Sequence, residues 1–166
     1  IPFYVKSVAD MNATHISIGT PYDEEFYPYL KLWVKEAREN NLKIWFRGNF
    51  SSWEQWFEYP EFADVKEHHT LTQKFIERHP NLFEDGDIFT PIPEPENGGV
   101  GDPRGSTEKT REFNQFLVES HDACVAAFEK INKDVKCGYF STNGDIAKDI
   151  LTEETVSKTG NVVVID

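Results

Sequence analysis

The sequence predicts an α/β fold in which a strand and a helix alternate along the chain, with five strands in all. Short apolar runs rich in β-branched residues alternate with longer segments whose apolar residues recur at helical spacing. The connections between successive strands are long enough to contain a helix, so the strands are expected to pair in parallel. With 166 residues, the chain can form one domain with a core of its own.

The predicted strands each end in a polar, loop-forming segment. They cover residues 15–19, 42–46, 87–90, 136–140 and 162–166. Alternating or β-branched composition identifies the first four as strands. The last strand is apolar throughout, which is typical of a strand buried on both faces of a parallel sheet.

Helices are predicted from N-capping residues followed by apolar stripes. The clearest runs from 107 to 131, with Ser106 or Thr107 as its N-cap and one apolar face over several turns. Asp23 is the expected cap of the helix after the first strand, and Ser51 with Glu54 has the spacing of a capping box. Further helices are predicted over residues 1–10, from about 63 or 70 to 78, and in two short pieces between 145 and 158.

Five such units correspond to part of a TIM (β/α)8 barrel, whose complete form needs about 250 residues. A doubly wound open sheet of five strands is the alternative architecture. The chain begins in a helix, ends on a strand and lacks an initiator methionine. We therefore expect residues 1–166 to form a single partial barrel domain, a fragment of a longer catalytic domain.

Composition narrows the classes of partner. The formal net charge of −12, from 29 acidic and 17 basic residues, repels the phosphates of nucleic acid. No apolar run approaches the roughly 20 residues that span a bilayer. Neither a nucleic acid nor a membrane is an expected partner, whereas neutral sugars are compatible with this charge; the cellular compartment stays open.

The cysteines and histidines do not have the spacing of a metal site. Cys124 and Cys137 are far apart in sequence and are expected to be separate small core residues, without a disulfide framework. His68, His69 and His79 are expected on the surface of an outer helix. No cofactor is predicted.

Residues of functional type follow the strands at their carboxyl ends. In a barrel these ends share one rim, where the active sites of such enzymes are found. The candidates for this rim are Thr20, Tyr22, Asp23, Arg47, Asn49, Glu94, Glu96, Ser141, Thr142, Asn143 and Asp166. Connecting loops are polar in any protein, so part of this pattern is expected without a function. For residues 87–99 the competing interpretation is a solvated acidic loop.

Four aromatic residues after the second strand, Trp53, Trp56, Phe57 and Tyr59, are candidates for a platform on which sugar rings stack. Packing of the short helix onto the barrel is the alternative. Trp53 is the one that its position favours as a substrate contact.

The segment Pro93-Glu94-Pro95-Glu96 after the third strand resembles the fourth-strand motif of the retaining glycoside hydrolases built on β/α barrels. In that clan an Asn-Glu pair, often followed by Pro, supplies the general acid/base, so the resemblance assigns this role to Glu94, with Glu96 as the fallback. Pro93 stands where the clan has the Asn that contacts the sugar 2-hydroxyl. The resemblance also implies that this chain holds the second to sixth barrel strands and that the nucleophile lies outside it.

These observations lead to one functional hypothesis and two alternatives. The hypothesis is a fragment of a glycoside hydrolase that acts on an oligo- or polysaccharide, with Glu94 as acid/base and the rest of its barrel as a partner. Tyr22, Arg47, Asn49, Trp53, Glu96 and Asn143 would bind or orient the substrate. One alternative is a metal-dependent sugar isomerase or lyase, in which Glu94, Asp166 and a further rim residue coordinate a divalent ion. The other is a non-catalytic carbohydrate-binding or structural module.

Overall fold

The computed structural model of the protein describes residues 1–54 and 63–166. Trp56, Phe57 and Tyr59 lie outside these ranges. The strands are β1 (His15–Ile18), β2 (Lys43–Phe46), β3 (Ile88–Phe89), β4 (Lys136–Cys137), β5 (Ser141–Thr142) and β6 (Val164–Ile165). The helices are α1 (Pro2–Asp10), α2 (Tyr27–Glu39), α3 (Ser51–Glu54), α4 (Val65–Arg78), α5 (Thr107–Lys130), α6 (Gly144–Asp149) and α7 (Glu153–Lys158). Short 3-10 turns cover Pro80–Leu82, Pro95–Asn97 and Pro103–Gly105.

All strand pairs among the described residues are parallel, as predicted. One sheet has the order β1-β2-β3-β4, and β5 pairs with β6 in a second. The spatial order follows the chain without the reversal that a doubly wound sheet requires. The prediction of a partial β/α barrel is therefore confirmed.

The predicted strand at 136–140 is interrupted, and β4 and β5 share its place in the barrel. Gly138 and Tyr139 have φ values of +99° and +59°, which break the extended backbone between the two halves. Pairing to the neighbouring segment continues after the break, because the Ser141 N–H donates to the Pro93 carbonyl at 2.7 Å. The break therefore changes the direction of the backbone, and the second half of the strand still pairs with the segment that follows β3.

The helices cover one face of the strands and bury their apolar stripes against it. The alternation along β2 illustrates this, since Ile44 and Phe46 are fully buried whereas Trp45 between them is only partly so. On this buried side, Phe89 of β3 makes edge-to-face contacts with Phe128 of α5 and with Phe83, which precedes β3. The larger apolar cluster among the described residues thus lies between the sheet and α1, α2, α4 and α5.

A buried ion pair fastens α2 to the start of β3. Asp87 is fully buried and accepts a hydrogen bond at 2.9 Å from Arg38. Its carboxylate also accepts from the backbone N–H groups of Ile44 and Glu84, both at 2.9 Å. A buried charge that is paired and hydrogen-bonded in this way holds β2, β3 and α2 in register.

Cys124 and Cys137 form a disulfide, so the expectation of two separate thiols was wrong. The bond joins α5 to the end of β4, with the two Cα atoms 6.0 Å apart. The chain reverses direction between them, because the turn after α5 leads directly into β4. Linear spacing gave no sign of this reversal.

The two histidines of α4 and the one that follows it, His79, were also predicted wrongly. His68 is fully buried, with its ring 4.4 Å from that of Trp53. His69 stacks on Phe116 of α5, and His79 stacks on Tyr27 of α2. The reason is that α4 packs between neighbouring elements and is not an outer helix.

Burial disfavours the charged imidazolium and lowers the pKa of His68 to about 3, with the nearby His69 lowering it further. Desolvation also lowers the pKa of His69. His68 is therefore a neutral residue of the core near pH 7.

Two local expectations were wrong, and a third was confirmed. The last strand is not buried on both faces, because β6 lies at the edge of the described sheet, where Ile165 is 62% exposed. Asp23 does not cap α2; its carboxylate accepts from both the backbone N–H and the hydroxyl of Ser51, at 2.7 and 2.8 Å. Ser106 caps α5 as predicted, accepting from the Lys109 N–H. Within residues 1–54 and 63–166, no helix combines the length and apolarity that a membrane span needs.

Candidate functional site at the carboxyl ends of the strands

Arg47 connects three strand ends at the rim. It directly follows β2, whose pairing with β1 continues through a 3.0 Å bond from the Arg47 N–H to the Ile18 carbonyl. Its Nη2 donates to Ser141 Oγ of β5 and to Asp166 Oδ2 after β6, both at 2.8 Å. The same nitrogen lies 3.5 Å from Glu94 Oε1 after β3. The guanidinium thus gathers residues from well-separated parts of the chain at one place.

Glu94 occupies an accessible position in this cluster. Its side chain is 41% exposed, compared with 27% for Arg47. Its Oε2 accepts a 2.8 Å hydrogen bond from Asn97 Nδ2, and the Asn97 N–H closes a turn onto the Glu94 carbonyl at 3.0 Å. The carboxylate is therefore oriented from both sides and still open to a ligand.

Asn97 was not singled out from the sequence. The signal that could have identified it is the spacing Glu94-Pro95-x-Asn97, since proline opens the 3-10 turn that brings residues i and i+3 together.

Ser141 links the rim of β5 to the segment that carries Glu94. Its hydroxyl donates to the Pro93 carbonyl at 2.6 Å and accepts from Arg47. Because its single O–H is donated to Pro93 and the residue is fully buried, Ser141 supports Arg47 and Glu94 and offers no accessible atom to a ligand.

Glu96 and Asn143 form a second link between the same two segments. Glu96 Oε1 accepts from the backbone N–H of Asn143 at 2.9 Å and from its Nδ2 at 3.2 Å. Glu96 is only 7% exposed, whereas Asn143 is exposed. Of this pair, only Asn143 can touch a ligand directly, so the predicted direct substrate contact of Glu96 does not fit the structure.

Three further predicted substrate contacts are wrong because the side chains have no accessible surface. Tyr22, Asn49 and Trp53 are 1%, 0% and 0% exposed. Further barrel units could only bury these side chains more, so they would not become accessible in a complete barrel.

Each of these three side chains is part of the interior instead. The Tyr22 hydroxyl donates to the Thr90 carbonyl at 3.0 Å and accepts from the Gly48 N–H, and burial raises the pKa of its phenol. Trp53 stacks on Phe116 of α5 with ring centres 5.0 Å apart. The Asn49 amide is buried without a hydrogen-bond partner among the described residues.

Among the described residues, the site thus includes four accessible side chains, those of Arg47, Glu94, Asn143 and Asp166. Two carboxylates on one guanidinium leave the cluster with a net negative charge, and all four residues carry hydrogen-bonding groups suited to hydroxyls. Among the described residues, no group of three or more His, Cys, Asp or Glu side chains is arranged to hold a metal ion. The arrangement can donate or accept a proton at Glu94 and orient a polyhydroxyl ligand.

The sequence matches no model of a known protein family. It also matches no curated protein.

Similar solved structures are β/α barrels of about twice the length. A glycoside hydrolase 5 lichenase from Caldicellulosiruptor sp. F32, in complex with cellotetraose, has a TM-score of 0.60 and 12% identity over 99% of this chain and 50% of its own. A GH5-4 broad specificity endoglucanase from Clostridium cellulovorans has a TM-score of 0.54 and 17% identity over 99% of this chain and 49% of its own.

A D-psicose 3-epimerase from Clostridium cellulolyticum H10, solved with D-tagatose, also has a TM-score of 0.54, with 12% identity over 99% of this chain and 56% of its own. Identities this low show a common fold only. The chain spans about half the length of these proteins, and its fold is that of a partial β/α barrel.

Proposed function

We propose that this chain is part of a carbohydrate-active barrel that cleaves O-glycosidic bonds, with Glu94 as the general acid/base. The observation that carries the proposal is the position of the Glu94 carboxylate. It is partly exposed at the rim and held between Asn97 at 2.8 Å and Arg47 at 3.5 Å. Catalytic acids of β/α barrels occupy this position at the carboxyl end of a strand.

The chemistry follows from the residues that remain accessible. Glycosidic cleavage requires a carboxyl group that protonates the departing oxygen and a second carboxylate on the other side of the sugar. Glu94 supplies the first, and we place the nucleophile outside residues 1–166, as the resemblance of Pro93-Glu94-Pro95 implies. Arg47 keeps Glu94 in place, and Asn143 contacts the sugar.

The similar structures support a carbohydrate as the substrate class. Two of the three are glycoside hydrolases, one of them in complex with cellotetraose. Cellotetraose is therefore the first probe for this chain.

The partner in this proposal is the rest of the barrel. Among the described strands, β1 and β6 each pair on one side only, and an eight-stranded barrel closes by pairing such edges. Val163 and Ile165, 43% and 62% exposed, would then be covered by the adjoining units.

The experiment that tests this function is hydrolysis of cellotetraose by the full-length protein that contains this chain. We expect activity in the wild type and a loss of at least a hundredfold in Glu94→Gln, since general acid catalysis contributes about 10²–10⁴. Glu112→Gln, an exposed change on α5, is the matched control and should keep wild-type activity. Equal activity of Glu94→Gln and the control would refute the assignment.

A metal-dependent sugar isomerase is the second candidate, favoured by the convergence of Glu94 and Asp166 on Arg47 and by the similarity to an epimerase. Glu94 and Asp166 would then be ligands of a divalent ion. In the described residues, however, the guanidinium already lies between the two carboxylates. Loss of activity on chelation, restored by a divalent ion, would favour this candidate over the glycosidase.

A non-catalytic carbohydrate-binding or structural module remains the third reading. Binding of cellotetraose that is equal in wild type and Glu94→Gln, with no turnover by either, would support it.

A further inference from the structure

Glu96 is a buried carboxylate for which glycoside cleavage as described above has no use. It is 93% buried in the turn Pro95–Asn97, two residues after the proposed acid. No described Lys, Arg or His lies within ion-pair distance of it. Burying an uncompensated carboxylate is costly, so its hydrogen bonds must matter for the local structure.

Those hydrogen bonds go to a single residue on another strand. One oxygen of Glu96 accepts both the backbone N–H and the side-chain Nδ2 of Asn143, at 2.9 and 3.2 Å. A carboxylate offers acceptors only, so the amide of Asn143 must turn its NH₂ group towards Glu96. The amide oxygen, Oδ1, is consequently directed to other partners.

Asn143 Oδ1 is not used within the described part of the chain. Asn143 is the N-cap of α6, a position where an asparagine side chain usually accepts from the first turn. Here its side chain makes no capping hydrogen bond, because Glu96 holds the amide away. An exposed residue at the rim thus presents an unused acceptor.

We propose that Glu96 is a positioning residue that fixes the amide of Asn143, so that Oδ1 accepts a hydrogen bond from a sugar hydroxyl. The inference rests on the proposed carbohydrate function and adds a specificity rule to it. At this point of the rim the ligand must be a donor. Glu96 acts only through Asn143 and touches no substrate.

The first test does not depend on a ligand. In the full-length protein that contains this chain, amide hydrogen exchange at the Asn143 backbone N–H should be at least tenfold faster in Glu96→Ala than in the wild type. Glu96→Gln, whose carbonyl can still accept, should restore most of the protection, and Glu112→Ala should leave the rate unchanged. Equal exchange rates in the wild type and Glu96→Ala would show that Glu96 does not hold Asn143 in place.

The second test measures the affinity for cellotetraose in a double-mutant cycle. Glu96→Ala and Asn143→Ala should each weaken binding several-fold, and the double variant should be no weaker than the worse single variant. Fully multiplicative losses would show that Glu96 does not act through Asn143. Absence of binding in the wild type would refute cellotetraose recognition and with it the specificity rule. The exchange measurement would still decide whether Glu96 holds Asn143 in place.

Discussion

The guanidinium of Arg47 and the carboxylate of Asp166 lie 2.8 Å apart although 119 residues separate them in sequence. The Arg47 nitrogen that makes this contact, Nη2, also donates to Ser141 and lies 3.5 Å from Glu94. The carboxyl ends of β2, β3, β5 and β6 therefore meet at one point, which is the geometric condition for an active site in a β/α barrel.

Replacing Arg47 by lysine should separate charge from geometry. A lysine keeps the positive charge, but its ammonium ends a flexible chain and is not fixed, as the planar guanidinium fixes Nη2, at 2.8 Å from both Ser141 and Asp166. We expect kcat/KM for cellotetraose to fall by tenfold or more in the full-length protein, with little change in thermal stability. Arg104→Lys, in an exposed pair with Asp102, is the matched control. Arg47→Lys within twofold of the wild type would contradict this role.

Asp87→Asn should destabilise the fold without touching the rim. The substitution leaves Arg38 beside a neutral group, and breaking a buried pair typically costs about 3 kcal/mol of unfolding free energy. Chemical denaturation of the full-length protein that contains this chain measures this loss. Asp149→Asn, on the exposed face of α6, should change the unfolding free energy by less than about 0.5 kcal/mol. Similar values for the two variants would show that the buried pair does not fasten α2 to β3.

Reduction of the disulfide should lower stability measurably. A cross-link that closes a loop of 13 residues is expected to contribute about 3 kcal/mol. Denaturation with and without reductant, compared with the Cys124→Ser/Cys137→Ser variant, tests this. Two thiols that react with an alkylating agent in the native, unreduced protein would show that the bond does not form.

The buried imidazole of His68 makes stability depend on pH. Its pKa is about 3 in the folded chain and about 6.5 when unfolded, so the unfolded chain binds the proton first as the pH falls. Stability should therefore be lost between pH 6.5 and 3, by up to about 1.4 kcal/mol per pH unit. The unfolding free energy of His68→Gln should fall less steeply over this range. Parallel curves for the two proteins would contradict the burial of a neutral His68.

Repetition of strand and helix was readable from the sequence because both leave periodic apolar patterns. The same patterns placed Arg47 and Glu94 at the strand ends, since the switch from apolar to charged residues is abrupt there. The interruption between β4 and β5 could not be predicted from the sequence. It depends on the left-handed backbone conformation of Tyr139, and tyrosine gives no sequence signal for that conformation.

Burial of the aromatic and polar residues near the rim could not be predicted either. Tyr22 and Trp53 follow strands just as Arg47 does, but a large ring close to a strand end can pack under α4 and α5 or face the solvent, and local sequence does not decide. Likewise, pairing of Glu96 with Asn143 depends on a contact between distant segments, and pairing of Cys124 with Cys137 depends on how the chain reverses direction between α5 and β4.

The most direct test of the account compares two substrates in Glu94→Gln of the full-length protein. A general acid is needed when the departing oxygen must be protonated, as in cellotetraose, and is nearly dispensable for a dinitrophenyl cellobioside, whose leaving group departs as a stable anion. The account predicts a loss of at least a hundredfold in kcat/KM for cellotetraose and of less than tenfold for the aryl substrate. Equal losses on both substrates, or none on either, would contradict Glu94 as the proton donor.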